Sequence, residues 1–210
     1  MKRPDLLEGL PGPRAPRQKR SLGRRDAILA AAITVFGRDG YEGASVRRIA
    51  SEAGAATGAV SQFFGSKRRL LLVSMDALLA RIERVRPPEF AGARSLAADM
   101  EEFLTGVFRR ERPFVGVYRA WREAALIDPS IADRDRRIRV WSGGRIRALF
   151  ARLGSLPGAR PNLDFEALAS LWDRFFWELL AEPPEPRRRA IRAISSMLCQ
   201  TLFTDGLLRR

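Results

Sequence analysis

A chain of 210 residues is long enough for a small domain followed by a second domain with a core of its own. Its 38 Lys and Arg against 24 Asp and Glu give a net charge of +14, which favours nucleic acid or an anionic membrane surface as partner. The absence of histidine excludes Ser-His-Asp and Cys-His catalysis, and a single cysteine excludes an intramolecular disulfide framework.

The first 23 residues are rich in proline, glycine and basic residues and have almost no apolar periodicity. We therefore predict a disordered basic tail over residues 1–23. Residues 1–25 carry eight Lys and Arg against two Asp and Glu, whereas residues 26–67 carry four of each kind. No stretch has the apolar run of a secretory signal or a membrane span, so we expect a cytoplasmic protein.

The next segment has the pattern of an amphipathic helix over residues 24–41. Its apolar residues recur at helical spacing and are expected to face inward. They are Ile28, Ala32, Val35 and Phe36.

A helix, a glycine turn and a short second helix are predicted between residues 45 and 65. Ser45 can cap the first helix, and Gly54 stands where that helix must end. The second helix runs from Ala56 to Phe63, and Gly65 stops it. Ser66 then caps a third helix, so the order is that of a helix-turn-helix DNA reader.

The outer faces of these helices carry the predicted contacts to DNA. Small residues let the second helix lie deep in the major groove, where Thr and Gln can bond to base edges. A lysine at the start of the third helix can share a phosphate with backbone N–H groups. The predicted DNA-binding residues are Ser45, Arg47, Arg48, Thr57, Gly58, Ala59, Ser61, Gln62 and Lys67.

The segment from Arg24 to Leu72 resembles the N-terminal domain of the TetR family of bacterial transcriptional regulators. The resemblance rests on the leading helix, the Gly40-Tyr41 corner and a set of matching residues: Ile49, Ala50, Ala53, Gly54, Gly58, Phe64, Lys67 and Leu70. It implies that Arg47 can reach a guanine and that Lys67 grips the DNA backbone. The family usually has tyrosine where this chain has Ser61, so the phosphate contact of that tyrosine is missing or shortened here.

From Lys67 onward the pattern stays helical, with breaks at proline and glycine. We predict about six helices in this part, at residues 67–85, 94–110, 113–126, 130–153, 163–181 and 186–207. The fold class is all-α. With the resemblance, this implies a three-helix helix-turn-helix DNA-binding domain over residues 24–70 and an α-helical ligand-binding and dimerisation bundle over residues 71–210.

The last two predicted helices carry an interaction signal, because the penultimate helix is apolar over too wide an arc for a simple surface helix. From periodicity alone, a monomeric core and a dimer interface are equally open. The resemblance implies a homodimer through a four-helix bundle, and a two-fold dimer fits a palindromic operator. The predicted interface residues are Trp172, Phe175, Phe176, Leu179, Ile194, Leu198 and Leu202.

Large aromatic rings concentrate in the middle helices, where such rings more often form a core than a pocket. The resemblance implies that this region surrounds the pocket of an unidentified small-molecule inducer. Arg119, Arg122 and Glu123 lie in the same stretch and suit a partly anionic apolar ligand. The predicted ligand-binding residues are Phe103, Phe108, Tyr118, Trp121 and Trp141.

No catalytic pattern stands out, since Cys199 has no base in view and the paired carboxylates are explained as solvated helix faces. We expect no enzyme, no cofactor and no metal. The alternative is a basic helical protein at an anionic membrane surface, for which the arginine-rich final helix is the candidate. We favour a transcriptional regulator, a repressor that an inducer releases from operator DNA, with no membrane partner.

Overall fold

The computed structural model describes residues 2–10, 19–87, 89, 93–111 and 114–203. Within these ranges the chain forms α-helices joined by turns, with an isolated bridge between Ala159 and Phe203. The all-α class is confirmed. The helices are α1 (Lys19–Gly43), α2 (Val46–Glu52), α3 (Thr57–Phe64), α4 (Lys67–Arg84), α5 (Ala93–Glu111), α6 (Val115–Ile127), α7 (Pro129–Gly154), α8 (Phe165–Ala181) and α9 (Pro184–Leu202).

The predicted caps and turns between α1 and α4 are present. The Ser45 Oγ accepts the Arg48 N–H at 3.2 Å, and the Ser66 Oγ accepts the Arg69 N–H at 3.1 Å. Gly54 and Gly65 have φ angles of 58° and 79°, a left-handed conformation that glycine adopts at low cost. These local signals fix the lengths of α2 and α3.

The chain divides into two compact units. The reader unit contains Arg3–Arg84 and Glu111–Arg137, and the bundle unit contains Met1–Lys2, Val85–Arg110 and Ile138–Arg210. The reader unit thus includes α6, which packs along α1. The sequence pattern had assigned α6 to the helical bundle, because periodicity shows which face of a helix is buried but not against which helix it packs.

The core of the reader unit contains the inward face that the pattern predicted for α1, together with one face each of α2, α3 and α6. Burial of these side chains supplies the main driving force for folding of the unit. The buried residues include Ile28, Ala32, Val35, Phe36, Ile49, Val60, Phe64, Val117 and Trp121.

The N-terminal segment is part of the reader unit. Leu6 is completely buried, and the Arg134 Nε donates to the Leu6 carbonyl at 2.9 Å. Arg3 pairs with Asp76 and lies 3.3 Å from Glu83, both on α4. An apolar side chain and two sets of polar contacts therefore hold the segment against α4 and α7.

The prediction of a disordered tail over residues 1–23 is wrong for the parts that the structure describes. Residues 2–10 pack as above, and residues 19–23 form the first turn of α1. A single leucine and a few ion pairs give no periodic pattern, so sequence reasoning missed them. Residues 11–18, which carry three of the four prolines of the tail together with Arg14 and Arg17, lie outside the described residues.

The bundle unit contains a buried polar group that links α7 to α8. The Ser142 hydroxyl donates to Asp173 at 2.8 Å, and the Trp177 Nε1 donates to the same carboxylate at 3.2 Å. The rings of Phe150 on α7 and Trp172 on α8 also pack together, with centroids 6.2 Å apart. None of the described helices is long and apolar enough to cross a membrane.

Candidate DNA interface

Most of the residues predicted to contact DNA lie on the surface of α2 and α3. The structure brings them to the outer side of the helix-turn-helix, while Ser45, Ala59 and Lys67 are half-buried. The exposed residues of the set are Arg47, Arg48, Thr57, Gly58, Ser61 and Gln62.

The outer face of α3 is small and uncharged. Val60 and Phe64 point into the core, so Thr57, Ser61 and Gln62 are left on the opposite side. A Cβ added at Gly58 would meet no atom within 4 Å. The face can therefore come close to another surface, and its hydroxyl and amide groups can bond to base edges there.

Arg47 and Arg48 are both exposed but differ in their partners. Arg48 Nη1 lies 3.1 Å from Asp39 Oδ2 and donates to the Gly43 carbonyl at 3.3 Å. The Arg47 side chain makes no hydrogen bond or ion pair with the part of the chain that the structure describes. Of the two, Arg47 is the side chain available to a ligand without breaking an internal contact.

Asp39 holds two arginines at the end of α1. Arg38 Nε lies 2.8 Å from its Oδ1, and Arg48 lies close to its Oδ2. The hydrogen bond from Arg38 is the main reason why the pKa of Asp39 lies below its usual value. The hydrogen bond from Arg48 lowers the pKa further, whereas partial desolvation raises it by less than the two arginines lower it. The carboxylate therefore stays charged and holds Arg48 beside the start of α2.

Lys67 contacts the corner between α1 and α2. Its Nζ donates to the Tyr41 carbonyl at 2.9 Å and lies 4.3 Å from the centroid of the Tyr41 ring. The ammonium thus has partners within the chain, and the phosphate contact that the resemblance implies stays a prediction. Nothing in the spacing of Lys67 and Tyr41 signalled this contact, because it depends on the packing of α4 against α1.

The polar residues of α6 are not free for a ligand as the sequence pattern suggested. Glu123 Oε2 accepts the Tyr41 N–H at 2.6 Å, and Arg119 Nη2 donates to the Gly37 carbonyl at 3.0 Å. Arg122 Nη1 donates to the Tyr118 hydroxyl at 3.2 Å. Two of these three residues therefore contact the end of α1.

Arg68 in the first turn of α4 contacts the corner between α6 and α7. Its Nε donates to Asp128 at 2.6 Å, and its Nη2 donates to the Ser130 hydroxyl. Partial burial raises the pKa of Asp128, but the hydrogen bonds from Arg68 and Ser130 outweigh that effect, so its pKa lies below the usual value. The α6–α7 corner is thereby fixed to the helix that follows α3.

The predicted ligand-binding residues are divided between the two units. Tyr118 and Trp121 are buried in the reader unit, where the Trp121 Nε1 donates to Asp135 at 2.9 Å. Phe103, Phe108 and Trp141 belong to the bundle unit, and Phe108 packs against Phe176 with centroids 5.5 Å apart. Four of the five are core residues of their own unit; a common ligand site stays a prediction.

The predicted dimer-interface residues of α8 and α9 are mostly buried within the chain itself. Five of them fill the bundle unit: Trp172, Leu179, Ile194, Leu198 and Leu202. Phe176 is half-buried, and Phe175 is 47% exposed.

The exposed apolar residues of these helices are partly different ones. Leu171 is 54% exposed and Met197 is 53% exposed, and sequence reasoning named neither as an interface residue. The i, i+4 spacing of Leu171 and Phe175 could have found the outer stripe of α8. The sequence pattern showed that α8 has a wide apolar arc, but it did not show which residues of that arc are buried and which are exposed.

No group of three His, Cys, Asp or Glu side chains that could hold a metal ion occurs among the residues that the structure covers.

Residues 28–73 match the model of the family described as bacterial regulatory proteins, tetR family. A nicotine-responsive HTH-type transcriptional repressor, HdnoR of Paenarthrobacter nicotinovorans, is 38% identical over 78 residues, which are 37% of this chain and 40% of the relative. The HTH-type transcriptional repressor AcnR of Corynebacterium diphtheriae is 36% identical over 81 residues, or 39% of this chain and 40% of AcnR. The chain thus spans 40% of the length of these curated relatives.

Solved structures match over more of the chain. A transcriptional regulator from Rhodococcus sp. Rha1 superimposes with a TM-score of 0.60 at 26% identity, covering 85% of this chain and 97% of that one. A TetR transcription regulator from Haloarcula marismortui gives a TM-score of 0.68 at 18% identity, covering 87% of this chain and 100% of that one. The second similarity concerns the fold alone.

Proposed function

Since the chain belongs to the TetR family of bacterial transcriptional regulators, we propose that it represses transcription from a palindromic operator and that a small-molecule inducer releases it. The observation that carries this proposal is the outer face of α2 and α3. Its α3 residues are uncharged, and the side chain of Arg47 on α2 has no partner in the described chain. Such a face suits base edges in the major groove. The protein then acts in the cytoplasm, where operator DNA is found.

In this proposal α3 lies in the major groove of each half-site. Thr57 and Gln62 bond to base edges, and Arg47 reaches a guanine from the start of α2. Arg48, held by Asp39, lies next to it and suits a backbone phosphate. The Ser61 hydroxyl is short, so more of the backbone contact falls to these cations.

The second copy of the chain binds through the outer stripe of α8 and α9. We define this stripe by Leu171, Phe175 and Met197, with the small exposed residue Ala193 beside Met197 on α9. Apolar side chains of this size are unfavourable in water, and burying them against a second copy stabilises a dimer. A two-fold pair of readers then matches a palindromic operator.

Selection from random duplexes tests this function. The purified chain is mixed with a pool of random duplexes, bound DNA is recovered and sequenced, and the mass of the free protein is measured by light scattering. We expect enrichment of a palindrome and the mass of a dimer. Recovery of no sequence motif would contradict the proposal, and binding to anionic vesicles in place of DNA would support the membrane alternative.

A further inference from the structure

Gly40 interrupts the helical path of α1 just before the helix-turn-helix. Its φ of 70° and ψ of −171° are non-helical, although helical structure resumes at once. In an unbroken α-helix the Tyr41 N–H would donate to the Gly37 carbonyl, four residues earlier. The interruption separates this donor from this acceptor, and both then need other partners.

Helix α6 supplies both partners from one face. The Glu123 carboxylate accepts the Tyr41 N–H at 2.6 Å, and the Arg119 guanidinium donates to the Gly37 carbonyl at 3.0 Å. Arg119 and Glu123 are four residues apart, so they are neighbours on the helix surface. The hydrogen bond that α1 loses at its kink is replaced by two charge-assisted hydrogen bonds from α6.

The contact between α1 and α6 leaves the two helices little freedom to shift against each other. A Cβ at Gly116, one turn before Arg119, would lie 2.0 Å from the Gly37 Cα, so the backbones of α1 and α6 touch at this point. A Cβ at Gly40 would lie 2.7 Å from Glu123 Oε2. Gly116, Arg119 and Glu123 thus form one stripe of α6 that fits the kink, which we call the kink clamp.

The kink lies close to the DNA-reading helices. Tyr41 is four residues before Ser45, the cap of α2, and its carbonyl accepts from Lys67 at the start of α4. The direction in which the chain leaves α1 therefore sets where α2 begins, and Arg47 follows within the first turn of α2.

We infer that Arg119 and Glu123 are positioning residues for DNA recognition. By replacing the broken hydrogen bond of α1, they set the angle at which α2 and α3 are presented to DNA. Neither residue touches DNA in this account, so their effect reaches the operator through Tyr41 and Gly37. The inference rests on the proposed function, because it assumes that α2 and α3 read a duplex.

Four variants of the full chain test the kink clamp, with the duplex selected by the wild type as the probe. E123A removes the acceptor for the Tyr41 N–H, whereas E123Q removes the same charge but keeps an acceptor oxygen. R119A removes the donor to Gly37, and R122A is its control, with the same change of charge on the same helix. Affinities for the selected duplex and for a random duplex are measured at one salt concentration, together with amide exchange at Tyr41.

We expect E123A to bind the selected duplex about three- to ten-fold more weakly than E123Q, the range of a neutral hydrogen bond, because the glutamine keeps an uncharged acceptor. R119A is likewise expected to bind the selected duplex more weakly than R122A. The random duplex should not distinguish the members of either pair, since a positioning effect changes recognition of sequence. Tyr41 exchange should be faster in E123A than in E123Q.

Equal affinities of E123A and E123Q for the selected duplex would overturn the inference while leaving the proposed function intact. If E123A does not fold, equal affinities of R119A and R122A would overturn it as well. If the wild-type protein selects no sequence motif, both the proposed function and this inference are contradicted.

Discussion

Arg68 and Asp128 join the first turn of α4 to the corner between α6 and α7, with the Arg68 Nε 2.6 Å from the Asp128 Oδ2. The side chains are 32% and 25% exposed, so water screens this pair less than a fully exposed one. The Asp128 Oδ1 also accepts the Ser130 N–H at 2.9 Å. One carboxylate therefore stabilises the start of α7 and holds α4 at the same time.

Stability at acid pH should depend on Asp128. Its pKa in the folded chain lies below the unfolded value of about 3.9, so its contribution is complete above that value and is lost as pH falls through the folded pKa. We expect Asp128→Asn to lower the free energy of unfolding by about 1–3 kcal/mol at pH 7. The difference from wild type should shrink below about pH 4.

Urea unfolding at several pH values measures this difference. Asp133→Asn is the control, because Asp133 is 56% exposed and pairs only with the nearby Arg136 in the described chain. An exposed pair of this kind contributes about 0–1 kcal/mol. A difference for Asp128→Asn that stays constant down to pH 3 would contradict the assignment.

Replacing Gly116 by alanine should separate α1 from α6. The added Cβ would meet backbone atoms of Gly37, which cannot rotate away, so we expect a loss of about 1–3 kcal/mol in the free energy of unfolding. Gly23→Ala is the control on α1, since a Cβ there meets no atom within 4 Å and alanine favours a helix over glycine. In thermal unfolding followed by circular dichroism, the melting temperature should be lower than that of wild type for Gly116→Ala and higher for Gly23→Ala.

Arg47 and Arg48 should differ in their effect on sequence recognition. We expect Arg47→Ala to cost about 1–3 kcal/mol of operator binding per base contact and to relax the preference at one position in each half-site. Arg48→Ala should weaken operator and random duplex alike, because a phosphate contact carries no sequence information. Selection from random duplexes with each variant checks this, and an Arg47→Ala motif identical to the wild-type motif would reject the base contact.

A charge in the outer stripe of α8 and α9 should break the proposed dimer. Ala193 is exposed and lies next to the stripe, so Ala193→Asp changes the surface without opening the core. We expect monomers that bind the operator weakly. The control is Thr105→Asp, which places the same charge on an exposed position of α5. Light scattering that shows a dimer for both variants would remove this interface.

The basic residues near α1 should determine how strongly DNA binding depends on salt. We propose that they neutralise DNA phosphates. Deleting residues 2–23 would remove the buried Leu6 and the start of α1 at Lys19. Substituting Arg14 and Arg17 with glutamine avoids both. Each phosphate contact contributes a log–log slope of about −0.9, so we expect a slope flatter by about two units per subunit. A salt slope that is unchanged on both the operator and the random duplex would mean that these arginines serve solubility and do not contact DNA.

Local sequence signals sufficed for the reader helices. Ser45, Gly54 and Gly65 act within a few residues of their own position, so the caps and turns of α2 and α3 could be predicted from the sequence. The inward face of α1 was predicted equally well, since its period needs no knowledge of the partner helix.

Contacts between distant helices could not be predicted in this way. Glu123 lies 82 positions from Tyr41, and neither residue type signals the other. Trp172 and Phe175 both belong to the apolar arc of α8, yet one is buried and the other is 47% exposed, because the neighbouring helices decide which edge of the arc is covered. Burial of Leu6 has the same origin, in a tertiary contact that a lone leucine does not reveal.

All four tryptophans of the chain are buried, with Trp121 in the reader unit and Trp141, Trp172 and Trp177 in the bundle unit. Intrinsic fluorescence therefore carries a separate signal from each unit without any added label. The spectrum of Trp121→Phe subtracted from that of wild type isolates the reader unit, and the variant alone reports the bundle unit. A titration with DNA and one with a small molecule can thus be followed in the same optical experiment, each at the unit that responds to it.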